Sequence, residues 1–191
     1  MRKRSGSGGI VQPDQWDDLR FPASAVKRNP ITTKPDFAVW RTGSGGEEVR
    51  TYVFDGGTDE EVHFCAQLPH GFRYGTQVKF HVHWAPLSVP VNGETVIWVL
   101  DYTLAELNGI FPGPVSSAGA THTFASNSRY QHILTEVVTI DTSAWASTSG
   151  MFSCRLYRDA NTDTSAMEVA LLEADFHFQK DQVGSRQEYV K

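Results

Sequence analysis

Cysteine is nearly missing: Cys65 and Cys154 are the only two in 191 residues, which excludes a disulfide framework and a thiolate-based zinc site. No run of about 18 apolar residues occurs, so no transmembrane helix is expected. The basic opening, Met1 to Arg4, leads into Gly and Ser rather than an apolar core and cleavage site, so no secretory signal peptide is expected. Positive charge is in deficit, with 17 Lys and Arg against 22 Asp and Glu for a formal charge of −5. That balance argues against a surface built to grip nucleic acid, and neither nucleic acid nor membrane is an expected partner. Walker and Rossmann glycine patterns are absent. So is a Gly-x-Ser-x-Gly nucleophile turn; Gly6-Ser7-Gly8 and Gly43-Ser44-Gly45 have linker composition instead.

Long helical periods are missing too. The chain offers short runs rich in Val, Thr, Phe, Tyr and Trp, separated by Gly, Pro, Asn and Asp. In Gln77–Ala85, Phe80, Val82 and Trp84 alternate with Lys79, His81 and His83, the period of a strand with one wet face. Thr95–Ala105 repeats the pattern through Val96, Trp98 and Leu100, and Asn92-Gly93 before it suits a tight turn. Further strands are expected at Phe37–Arg41, Val49–Phe54, Glu61–Leu68, His132–Ile140, Met151–Arg158 and Glu168–Gln179. In the last, Leu172, Ala174, Phe176 and Phe178 are expected on one face, and Glu173, Asp175 and His177 on the other. About eight strands with this alternation predict an all-β protein, an antiparallel β-sandwich or barrel. Cys65 and Cys154 are read as core packing. A short helix is expected within Asp141–Ser149, capped by Asp141 or Thr142.

Three regions are expected: an extended N-terminal arm at 1–36, a β-sandwich at 37–179, and a C-terminal tail at 180–191. Residues 1–9 are too poor in apolar side chains to order themselves. Residues 10–36 carry Pro13, Pro22, Pro30 and Pro35 without a helix or strand period, and read as a segment wrapped over a neighbouring surface. Interface anchors on this arm would be Trp16, Leu19, Phe21 and Ile31, with Arg2, Lys3 and Arg4 offering a weak basic grip. Residues 108–128, rich in Pro, Gly, Ser and Ala, read as a long contact loop.

His81 and His83 are the most suggestive chemical pair, because residues two apart on a strand share a face and can hold one metal ion. Gly75 and the His-x-His that follows match the opening of a cupin signature. The Glu that should come next is not present in Ala85–Val89. His63 and His177 lie on other strands at compatible phase. The leading reading leaves His81 and His83 as surface or interface histidines, with no metal and no other cofactor expected. A cupin-like metal-dependent enzyme is the alternative.

Several motifs occur in order along the chain. They are Trp16-Asp17-Asp18-Leu19-Arg20-Phe21-Pro22, Pro35-Asp36-Phe37, Gln67-Leu68-Pro69-His70, His81-Val82-His83-Trp84, Asp175-Phe176-His177 and Gly184-Ser185-Arg186-Gln187-Glu188-Tyr189-Val190-Lys191. Together they resemble a family of tailed-bacteriophage virion structural proteins. The resemblance implies a jelly-roll-like core with extended arms, serving without catalysis as a decoration or cement protein on the capsid surface. The implied partners are the major capsid protein or neighbouring virion subunits, and a homotrimer is expected from that role. A head-fibre, collar or tail component whose loop 108–128 binds a glycan is the other structural reading.

Overall fold

A computed structural model describes residues 15–29, 33–145, 147 and 149–184. Among these residues the chain forms twelve strands and one short 3-10 turn. The strands are β1 (Gln15–Pro22), β2 (Lys27–Arg28), β3 (Asp36–Thr42), β4 (Glu48–Phe54), β5 (Glu60–Gln67), β6 (Gln77–Pro86), β7 (Thr95–Ala105), β8 (Val115–Ser116), β9 (Ala120–Thr123), β10 (Ile133–Asp141), β11 (Met151–Arg158) and β12 (Val169–Lys180). All eight strands expected from alternation are present, and the class is an antiparallel β-sandwich.

The strand order explains how the sandwich closes. Sheet A runs β10-β6-β12-β4-β3, and sheet B runs β2-β5-β11-β7-β8, with β9 also paired to β7. From β4 onward the chain passes between the sheets at nearly every connection. The resulting orders, β4-β12-β6-β10 over β5-β11-β7-β9, are those of a jelly roll. The inward residues are the predicted ones: Phe80, Val82, Trp84, Val96, Trp98, Leu100, Phe152, Leu156 and Phe176 have no solvent exposure. Phe152 stacks on Phe176 with centroids 4.8 Å apart, and the buried Trp84 indole N–H donates to Thr135 Oγ1 at 3.0 Å.

Several expectations need correction. Residues 15–28 are part of the sandwich rather than a free arm. β1 pairs with β12 over its whole length, from Gln15↔Lys180 to Pro22↔Glu173, while β2 pairs with β5. Leu19 and Phe21 pack against this chain's own core, where Phe21 lies 5.0 Å from Phe64 between centroids. Trp16 remains half exposed. Arg2, Lys3, Arg4 and Ile31 lie outside the described residues, as do 185–191 of the tail. The span 108–128 is not one open loop either, because β8 and β9 fold back onto β7. Its protruding part is the turn around Asn108, with Ile110 and Phe111 exposed. Cys65 faces solvent and only Cys154 is buried, since Val62, Phe64 and Ala66 take the inward phase of β5. Residues after Asp141 form a hydrogen-bonded turn rather than a helix among the described residues. There the Ser143 N–H donates to Asp141 Oδ1 and the Trp145 N–H to the Thr142 carbonyl. Finally, a bulge between Leu171 and Glu173 shifts the phase of β12, so Leu171 rather than Leu172 is fully buried.

Candidate functional site

Three of the motifs that carry the resemblance, far apart in sequence, occupy the adjacent strands β1, β12 and β6 of sheet A. Register then sets their outward residues side by side. One row reads Arg20, Asp175, His81, Glu136 across β1, β12, β6 and β10. The row above it holds Asp18 opposite His177, which faces Lys79, and the row below holds Glu173 opposite His83. The alternation of β6 and β12 turns Phe80, Val82, Phe176 and Phe178 into the core and leaves the histidines and carboxylates on this outer face.

Asp175 is the centre of the group. Its carboxylate is 2% exposed and the His81 side chain beside it is nearly as deep. Asp175 Oδ2 meets His83 Nε2 at 3.0 Å and lies 3.9 Å from His177 Nε2. Asp175 Oδ1 lies 3.3 Å from His81 Nδ1, yet neither of these two buried atoms has a hydrogen-bond partner. On its other side His81 Nε2 faces Glu136 Oε2 at 3.6 Å, and that carboxylate is held by Lys79 Nζ at 3.0 Å and Thr139 Oγ1 at 2.9 Å. His177 Nε2 contacts Asp18 Oδ1 at 2.6 Å, and its ring stands nearly perpendicular to that of His81, 4.3 Å away. A surface depression of about 380 Å3 lined by Trp16, Lys79, His81, Glu136 and His177 opens over these groups.

The electrostatics follow from the packing. The adjacent Asp175 carboxylate raises the His81 imidazole above its usual range, against the opposing effect of burial, with Glu136 adding to the rise. Burial alone would raise the Asp175 carboxyl, but the neighbouring imidazoles of His81 and His83 outweigh it and hold the group low. Lys79 holds Glu136 low as well.

Among the described residues, two sets of donor atoms are close enough to share an ion: His81, Asp175 and His177, and His83, Glu173 and Asp175. His81 and His83, the candidate pair of the alternative metal reading, belong to different sets. His83 Nδ1 lies 2.8 Å from His132 Nε2 and its Nε2 is taken by Asp175, while Glu173 is engaged by both Nε and Nη2 of Arg20. His63 is far from this face, paired with Glu61 on sheet B. Asp175, Asp18 and Glu136 were not singled out from the sequence as site residues. The available signal was the outward phase that Asp175 shares with His177 in Asp175-Phe176-His177.

No protein-family model and no curated protein sequence matches the chain. Among solved structures, it is similar to an isomalto-dextranase from Arthrobacter globiformis T6 complexed with panose, at 14% identity and a TM-score of 0.38, covering 83% of this chain and 23% of that one. It is also similar to a chain in the structure of infectious bursal disease virus Gx strain, at 12% identity and a TM-score of 0.30, covering 79% and 39%. The Gt strain of the same virus gives 10% identity, a TM-score of 0.28, and coverage of 75% and 37%. The chain thus spans well under half the length of these solved chains, and none of the likenesses carries a functional argument.

Proposed function

We propose that the protein is a non-enzymatic structural subunit of a tailed-phage virion. In this reading it decorates the capsid surface and stabilises it by contacts made from its terminal segments, as a homotrimer beside the major capsid protein. The observation that carries the reading is the pairing Gln15↔Lys180 at the end of the β1–β12 ladder. It sets the first residue of β1 beside the last of β12, so the two ends of the sandwich lie at one place. A clamp between neighbouring subunits needs that arrangement. Ordering an arm costs about 1–2 kcal/mol per residue in backbone entropy, which burial against a neighbour must offset. The ordered motifs Trp16–Pro22, His81–Trp84 and Asp175–His177 support the same assignment through their resemblance to virion proteins.

The test is to mix the purified protein with undecorated tailed-phage capsids and image the particles. Added density at regular positions on the head is expected, and its loss on deleting residues 1–14. Binding nowhere on the head overturns the proposal. The exposed Ile110 and Phe111 at the tip of the turn after β7 favour a second reading, a fibre, collar or tail component whose tip is the contact. Labelling at the neck or tail with an unmodified head would select it.

A further inference from the structure

We propose that His81, Asp175 and His177 bind one zinc-class divalent ion on the outer face of sheet A. The donor atoms of the three lie within 4.8 Å of one another. Tetrahedral zinc, with bonds of about 2.0–2.2 Å to nitrogen and oxygen, sets its donors about 3.4 Å apart. His81 Nδ1 and Asp175 Oδ1 already stand at 3.3 Å, and a modest rotation of the partly exposed His177 ring completes the closure.

The independent support is the state of those two atoms. Buried polar groups are nearly always hydrogen-bonded, and leaving one unpaired costs about 1–3 kcal/mol. Here a histidine nitrogen and a carboxylate oxygen, on side chains more than nine-tenths buried, face each other at 3.3 Å without a hydrogen bond. A cation satisfies both at once. The surrounding groups leave these same atoms free. Glu136 faces His81 Nε2 at 3.6 Å, the carboxylate behind the far ring nitrogen that orients ligating histidines. The His83 contact occupies Asp175 Oδ2 and leaves Oδ1 available. The competing set at His83 and Glu173 lacks this feature, because Arg20, His132 and Asp175 already fill its donors.

Two imidazoles with carboxylates and no thiolate suit zinc and its first-row neighbours. Calcium and magnesium prefer all-oxygen shells. The ligands bind the ion in their deprotonated forms, so protons compete with it and affinity falls in acid. The ion ties β12 to β6.

The test uses the full-length, tag-free chain stripped with chelator and titrated with zinc chloride by calorimetry, with thermal unfolding and circular dichroism alongside. One zinc per chain is expected, with a rise in Tm reversed by chelator. His177→Ala should weaken binding at least about tenfold, while His132→Ala leaves it unchanged. His81→Ala should abolish binding. If that variant fails to fold, His177→Ala decides the matter, since its side chain is partly exposed and its loss leaves the core intact. No stoichiometric zinc overturns the proposal, as does zinc whose affinity ignores His177→Ala or follows His132.

Discussion

The outer faces of the two sheets both carry charged side chains but treat them differently. On sheet B, Arg155 of β11 lies between Glu61 of β5 and Asp101 of β7, donating through Nε to one and Nη1 to the other. Asn29 and Ser116 take further oxygens of the same carboxylates at 2.7 and 2.6 Å, and the guanidinium covers the Tyr157 ring at 4.2 Å. Each charge there has its partner. On sheet A, the row Arg20, Asp175, His81, Glu136 is deeper, rich in histidine, and incomplete. His81 Nδ1 and Asp175 Oδ1 are among only four buried side-chain atoms without a hydrogen bond in the described residues. The completed network reads as structure, and the incomplete one reads as a place for something to bind.

The largest effect that would break this contrast is in stability. Asp175→Ala removes the anion beneath three imidazoles and should cost about 2–3 kcal/mol in urea unfolding at pH 7, since buried charge-assisted contacts are expensive to leave half made. Asp101→Ala, in the shallower network of sheet B, should cost no more than about 1 kcal/mol and lose even that in high salt. Equal costs at the two positions would erase the distinction.

A smaller effect is the dependence on pH. His81 is faced by Asp175 and His177 from β12 and Glu136 from β10, with Lys79 and His83 on its own strand and Asp18 reaching the site through His177. Its folded-state pKa is raised, so the folded chain holds a proton that the unfolded chain has released. The resulting stability is complete below the unfolded value of about 6.5 and is lost as pH rises through the folded value. Asp175 is shifted the other way, so its contribution is present above the ordinary carboxylate range and is lost as pH falls through its low folded pKa. Metal-free protein should therefore lose stability from pH 6 toward pH 8, and His81→Gln should flatten that slope. Arg155→Ala on sheet B should leave it unchanged. The smallest expected signal is in thiol chemistry. Cys65 on the outer face of sheet B should react promptly with a disulfide reagent, while Cys154, whose thiol burial pushes up, should react only after unfolding.

Strands such as β6, β7 and β11 were legible because apolar and polar side chains alternate along them, and β3 and β4 because short runs of β-branched and aromatic residues are bounded by turn residues. The four that escaped lacked that signal. β2 and β8 have two residues each and β9 four, too short to show a period. In β1, only Leu19 and Phe21 mark the inner face, and flanking prolines mask the strand. The bulge at Leu172 inverted the expected phase of the first part of β12, because one extra residue in a strand exchanges its faces. For the site, the shared face of His81 and His83 was readable from spacing alone. That β12 lies beside β6 was not, since the pairing joins Asp175 to His81 across 93 intervening residues, a distance that local pattern does not span. The grouping of His81 with His177 instead of His83 depends on that adjacency and on where each ring nitrogen finds a partner.

The central claim is that the unsatisfied pair on sheet A is a cation site. Its most direct measurement is an anomalous difference map from zinc-soaked crystals of the full chain, collected on either side of the zinc absorption edge. The account predicts one peak, within bonding distance of His81 Nδ1, Asp175 Oδ1 and His177 Nε2. An empty map at that position, or a peak held by His83 and His132 instead, would contradict it.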